Sequence, residues 1–141
     1  MSTARDRQQA LVTAMVATLG ADPALATLLG QRIYDAAPAA PLTPCLTLKL
    51  VSATDASTAD TEAQSLVFDV DVWDRYALGT DLSRPRLLMG HVRRLLHLQP
   101  LVVPGCNLVL LRCTGAKGPM RDADGLTLHG IVTVTVLAGH E

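Results

Sequence analysis

A chain of 141 residues is long enough for one compact domain and leaves little room for a second core. Hydrophobic residues at 49% against 18% charged exclude bulk disorder. A formal net charge of −1 and an aromatic share of 3% supply neither the field nor the stacking surface of a nucleic-acid binder. Leu, Val, Ile and Ala must therefore fill the core.

The N-terminal stretch MSTARDRQQALV carries charges where a signal peptide needs its apolar run. No segment approaches the ~20 uninterrupted apolar residues of a membrane span. Cys45, Cys106 and Cys113 are odd in number, lack a CxxC spacing and sit in apolar contexts, so they read as reduced thiols. A soluble protein assembled in a reducing compartment is expected, with no membrane partner.

From Arg5 to Leu19, Leu11, Met15 and Leu19 recur every fourth residue beside Val12 and Val16, which predicts an amphipathic helix ending near Gly20. Asp22 and Pro23 form an N-cap and first-turn pair for a short helix through Leu29, stopped by Gly30. Arg32 to Pro44 carries three prolines before its end is reached or at it, and is expected to be a connector. Cys45 to Val51 alternates Leu46, Leu48 and Leu50 with Cys45, Thr47 and Lys49, the period of a half-buried strand. Residues 52–64 hold nothing larger than Ala among their apolar side chains and are expected to be an exposed loop.

LVFDVDVWDR follows, from Leu66 to Arg75. Leu66, Phe68, Val70 and Val72 point one way, while Val67, Asp69, Asp71 and Trp73 point the other. An antiparallel pairing with the preceding strand puts Lys49 on the face of Asp69 and Asp71. TDLSRPRLLMGHVRRLLHLQP, beginning at Thr80, predicts a helix with Asp81 or Ser83 as cap and Pro85 in its first turn. Leu87, Leu88, Val92, Leu95 and Leu96 share its apolar face, with Arg86, Arg93 and His97 on a basic back. Leu108–Thr114 and Leu126–Leu137 are two further strands, joined by an exposed loop over 115–125. The expectation is an α+β fold: a four-stranded, mainly antiparallel sheet with a long helix on one face and N-terminal helices, in a single domain spanning 1–141.

Asp69, Asp71 and Asp74 are the chemistry-bearing cluster, because hard cations take grouped carboxylates. Strand alternation accounts for the same residues without a metal, since a wet face must carry polar side chains. His91 and His97 are six residues apart and fall on different helix faces, which makes them poor joint ligands. His129 alternates with Thr127, Ile131, Thr133 and Thr135 on the outward face of the last strand, and a lone His there is weak evidence for catalysis. Gly115, Lys117 and Gly118 lack the GxxxxGK[ST] pattern of a phosphate loop. Asp122, Asp124 and Gly125 lack the later bidentate Glu of a calcium loop, and a hairpin turn explains them. No catalytic residue, metal or cofactor is assigned. Apolar residues on both sides of the sheet, Val67, Trp73 and Ile131 among them, point instead to subunit contacts.

RIYDAAP from Arg32, the proline Pro44 leading into a strand, Trp73 near the end of VDVWDR, and RDADGLTLHGIVTVTVL from Arg121 resemble the tail-completion or tail-terminator proteins of long-tailed phages and gene transfer agents. The similarity covers most of the chain. The family's aromatic residue after the proline and its strand-closing glycine are replaced here by Cys45 and by LTLKLVSA. The resemblance implies a structural, non-enzymatic virion protein: a ring, usually a homo-hexamer, that caps the head-proximal end of the tail tube and stops its polymerisation. Its implied partners are further copies of itself, the tail tube protein and a head-tail connector or stopper, with no sequence-specific nucleic acid, and its assembly site is the host cytoplasm. The loops and the basic helix back are the expected interface, through Thr58, Asp60, Glu62, Arg86, Arg93, Lys117, Arg121 and Asp122. Another head-tail joining or tail tube protein is the nearest alternative, and a small metal-dependent enzyme using Asp69, Asp71 and Asp74 the more distant one.

Overall fold

The computed structural model describes residues 7–76 and 81–140. Within them run helices α1 (Arg7–Gly20) and α2 (Pro23–Leu29), strands β1 (Ile33–Tyr34), β2 (Cys45–Asp55) and β3 (Ala63–Arg75), helix α3 (Ser83–Leu96), and strands β4 (Cys106–Arg121) and β5 (Thr127–His140). The expected helix start at Arg5 and the residue Thr80 lie outside the described residues. The described strands form one mixed five-stranded sheet in the order β1-β2-β3-β5-β4. This corrects the expected four strands, and α3 is no longer than α1 at 14 residues each.

The additional strand is β1, inside the proline-rich connector. Ile33 and Tyr34 pair in parallel with Leu46 and Thr47. The Leu46 N–H donates to the Arg32 carbonyl at 3.0 Å, and Arg32 Nε donates to the Pro44 carbonyl at 2.9 Å. The RIYD motif thus fastens the connector to the first long strand. α2 is capped as expected, with Asp22 Oδ2 accepting from the Leu25 N–H at 3.1 Å and Gly30 ending the helix at φ 59°. The same carboxylate oxygen meets Arg94 of α3 at 3.0 Å, and that guanidinium holds the Asp22 carboxyl below its usual range.

Two segments expected as loops are largely strand. β2 continues to Asp55 opposite β3 (Ser52↔Val67 to Asp55↔Gln64), and β4 continues to Arg121 opposite β5 (Gly115↔Thr133 to Arg121↔Leu128). A strand whose backbone bonds are closed by a neighbour needs no apolar side chains, so small and polar residues conceal it from a pattern search. The hairpin turns proper are 56–62 and 122–126.

The three helices of the described residues lie against one face of the sheet. Leu46 and Leu48 of β2, Leu66, Phe68, Val70 and Val72 of β3, and Val132, Val134 and Val136 of β5 are buried beneath Leu11, Met15 and Leu19 of α1, Leu25 and Leu29 of α2, and Leu88, Val92 and Leu96 of α3. Full burial of each such side chain stabilises the fold by about 1.5–3 kcal/mol. Gly130 permits the closest approach of α3, since a Cβ there would stand 2.5 Å from Met89 Sδ. Leu87, expected on the apolar face, is 50% exposed, and Pro85 and Met89 are buried instead. The buried arc is centred between 88, 92 and 96, which turns residue 87 toward solvent.

β4 is an edge strand, and the residues after α3 cover part of its free edge. The Leu98 N–H donates to the Leu111 carbonyl at 3.0 Å, and the Cys113 N–H donates to His97 Nδ1 at 3.0 Å. Leu98 reaches this position with φ 56°, in the left-handed region. His97 is therefore a half-buried acceptor and not part of a solvated basic back.

Candidate functional site

Among the described residues the second face of the sheet carries no helix. Alternation along β2, β3 and β5 sends Thr47, Lys49, Asp69, Asp71, Trp73, His129, Ile131 and Thr133 to it, and the register sets them side by side: Lys49↔Asp69↔Thr133, Thr47↔Asp71↔Ile131 and Trp73↔His129. The residues 35–43 and the 122–127 turn rise at its borders and enclose a trough of ≈ 930 Å³.

The floor of this trough is a fixed constellation. His129 stacks on Trp73 with centroids 3.8 Å apart and planes inclined by 7°. Its Nε2 donates to Asp71 Oδ1 at 3.0 Å, since a carboxylate can only accept. Trp73 Nε1 donates to Thr47 Oγ1 at 2.9 Å, and Thr133 Oγ1 donates to Asp69 Oδ1 at 2.9 Å. Lys49 stands opposite Asp69, yet no ion pair between them lies among those formed by the described residues. At the rim, Asp124 accepts from the Thr127 hydroxyl at 2.6 Å and from the N–H groups of Thr127 and Leu126, each at 2.9 Å. These donors, the Thr127 hydroxyl first, hold its carboxyl below the usual range.

The three candidate aspartates do not converge. Asp69 and Asp71 bond to Thr133 and His129 on the helix-free face, whereas Asp74 turns to the helix side. There Asp74, 2% exposed, is held by Arg84 of α3 through two contacts of 2.6 Å. This bidentate pair raises the Arg84 pKa above its ordinary value. Among the described residues no group of three or more His, Cys, Asp or Glu is placed to share a metal ion. Burial pushes the Cys45 thiol at the trough's edge, and likewise Cys113, above the ordinary thiol value, which leaves both poor nucleophiles. What the trough offers is an array of acceptors, Asp35, Asp69, Asp71, Asp122 and Asp124 against Lys49 and Arg75, around an aromatic floor.

The residues expected at an interface fall in three places. Thr58, Asp60 and Glu62 sit at the β2–β3 turn, where Glu62 also meets the buried Arg7 at 3.5 Å. Arg86 and Arg93 are exposed on α3. Lys117, Arg121 and Asp122 belong to the β4–β5 hairpin, where the Arg121 guanidinium lies 3.6 Å from the Tyr76 ring centroid. The Trp73–His129 stack is the feature that sequence reasoning missed. Each residue was placed on the outward face, but only the register brings them together.

The profile of the tail completion protein gp17 family matches residues 13–138. The chain belongs to this family. It is accordingly a structural protein of a phage-type tail. A search of curated proteins returns no match. Among solved structures, a chain in the virion of a native gene transfer agent particle has a similar fold, with a TM-score of 0.85 and 24% sequence identity over 96% of this chain and 99% of that one.

Proposed function

We infer that this tail completion family member forms a closed ring, of six copies as is usual for tail terminators, at the head-proximal end of a tail tube. The ring caps the tube, halts its polymerisation and presents its other side to a head-tail connector or stopper. Assembly takes place in the host cytoplasm, the chain acts as one domain, and no covalent chemistry is involved.

The observation that carries this reading is the placement of the two long hairpins at opposite ends of one sheet. Ala63 pairs with Gly139 beside the 56–62 turn, and Arg75 pairs with Thr127 beside the 122–126 turn. At the rise of an antiparallel strand these ends are about 40 Å apart. A ring that joins two different assemblies needs two axial surfaces, and one subunit carries a turn for each. Thr58, Asp60 and Glu62 serve one surface and Lys117 and Arg121 the other, with Arg86, Arg93 and Asp122 left for contacts around the ring.

Deletion of Thr58–Thr61 tests the assignment, with Glu62 retained because it meets buried Arg7. The purified variant should keep the wild-type thermal unfolding temperature within a few degrees, while particles assembled with it have tails of uncontrolled length or heads without tails. Normal tails would remove the turn from the interface. Adding the wild-type protein to purified tubes separates a cap from a tube subunit, because a cap stops elongation and a subunit extends it.

A further inference from the structure

Charge is distributed unevenly across the two layers of this fold. α3 contains four arginines and no acidic residue. Arg84 is engaged by Asp74 and Arg94 by Asp22. Arg86 and Arg93 form no ion pair with another described residue. Seven residues apart, they lie on one stripe of the helix about 10 Å apart along its axis. Half-exposed Leu87 and Gly90, which has nothing within 4 Å of a Cβ position, lie between them. Arg86 and Leu87 are exposed away from buried Leu88, Val92 and Leu96, and Gly90 and exposed Arg93 stand on the flank of the helix beside Cys113–Ala116 of β4. On the far side of the sheet lies the trough, with Trp73 and Ile131 on its floor and the carboxylates of Asp35 and Asp122, which accept no hydrogen bond from a described residue, at its borders.

We propose that the α3 ridge of one copy docks in the trough of the next, with Arg86 and Arg93 meeting Asp35 and Asp122 and Leu87 covering Trp73 and Ile131. The proposal rests on the ring reading above and names the surfaces that make the ring. The occupant is a second copy because the same chain carries both halves of the match: an acidic recess with an apolar floor and a basic ridge with an apolar centre. Pairing trough with trough or ridge with ridge would set like charges against each other at a cost. A contact between unlike surfaces is heterologous, and one that joins opposite faces of a subunit propagates until rotation closes it. The contact weakens with added salt, because much of its selectivity is Coulombic.

Trp73 is the only tryptophan in the sequence, so its fluorescence reports the floor of the trough directly. The experiment combines native mass spectrometry with acrylamide quenching of Trp73 over a concentration series. Three samples are compared: the wild-type chain, an Arg86→Glu/Arg93→Glu variant, and an Asp35→Arg/Asp122→Arg variant. The wild type should associate, with its tryptophan shielded as it does. Each variant alone should associate at least about tenfold more weakly. An equimolar mixture of the two should associate again, since each trough then faces a ridge of opposite charge, and this rescue requires both variants to be folded. Wild-type association with an unshielded tryptophan, or association that neither reversal weakens, would overturn this interface and leave the ring reading standing. Shielding that requires an added basic protein would assign the trough to that partner and overturn the second-copy occupant. A wild-type chain that stays monomeric at every concentration would overturn the self-assembly on which both readings depend.

Discussion

β3 and β5 have two sides, and the contrast between them separates stability from assembly. Toward the helices they present Leu66, Phe68, Val70, Val72, Val132, Val134 and Val136, interrupted at the end of β3 by Asp74 and its Arg84 partner. Toward solvent the same strands present Asp69, Asp71, Trp73, His129 and Thr133, tied to one another by cross-strand hydrogen bonds and one ring stack. On that solvent side Leu110, Met120 and Leu126 remain about half exposed. A sheet of this length could have been covered on both faces or left plainly polar on one. It is neither, and apolar side chains left uncovered among ordered polar ones are what a contact surface requires.

The sharpest break in that comparison comes from one substitution on each side. Phe68→Ala removes the largest fully buried side chain among the described residues and opens a cavity in the core, so urea unfolding should show a loss of about 3–5 kcal/mol. His129→Ala, on the other face of the same pair of strands, removes a ring that is 20% exposed and leaves the buried Asp71 carboxylate without that donor, and should cost about 1–2 kcal/mol. It should nonetheless shift Trp73 emission, because the ring stacked at 3.8 Å has gone. Equal stability losses at the two positions would mean that the helix-free face is a second core and not a docking surface.

A smaller effect is expected where the helix-covered face carries charge. Arg84→Ala leaves the Asp74 carboxylate 2% exposed without its two 2.6 Å donors. The loss of one member of a wholly buried pair costs about 3–5 kcal/mol. Arg84 is itself 51% exposed, so water can take over some of its role, and about 2 kcal/mol is expected. Asp74→Asn combined with Arg84→Ala should recover part of that loss, because the uncompensated charge is gone. A double variant less stable than Arg84→Ala would show that Asp74 is held by something other than this ion pair.

Much of this fold was legible from periodicity. The alternation in LVFDVDVWDR assigned every side chain of β3 from Leu66 to Trp73 to the correct face, Asp22 was identified as a cap, and the Asp122–Gly125 turn stands where its composition placed it. What escaped was structure made by the backbone or by register. Ser52–Asp55 and Gly115–Arg121 are strand because β3 and β5 close their hydrogen bonds, and small side chains carry no trace of that. β1 escaped for the same reason, since only its pairing with Leu46 and Thr47 makes it a strand. Asp74 shows the limit of spacing arguments, because three aspartates within six residues fall on two faces of a strand and cannot act as one site. The RIYD, Trp73 and Asp-x-Asp-Gly features pointed to the tail completion family even so, and Arg32 now has a physical role in them as the residue that anchors the connector to Pro44.

The smallest predicted effect lies at the border between the two faces, on the free edge of β4. His97 Nδ1 can accept from the Cys113 N–H only while the ring is neutral at that nitrogen. Burial, reinforced by Arg93 of α3 and Arg112 of β4, holds its pKa below the ordinary histidine value of 6.5. The folded state therefore favours the neutral ring. The resulting stabilisation is complete above the ordinary histidine range and is lost as pH falls through the lowered value. Once the ring is protonated, both nitrogens are donors, the Cys113 N–H loses its acceptor, and the edge at Leu111–Cys113 opens locally. Hydrogen exchange of the Cys113 amide, corrected for the intrinsic rate, should lose protection as pH falls below the ordinary histidine value of 6.5, while the amide of Val134 on β5 does not. His97→Phe should show the low protection at every pH. Protection at Cys113 that is independent of pH, or a His97→Phe variant as protected as the wild type, would mean that Leu98 alone seals the strand edge.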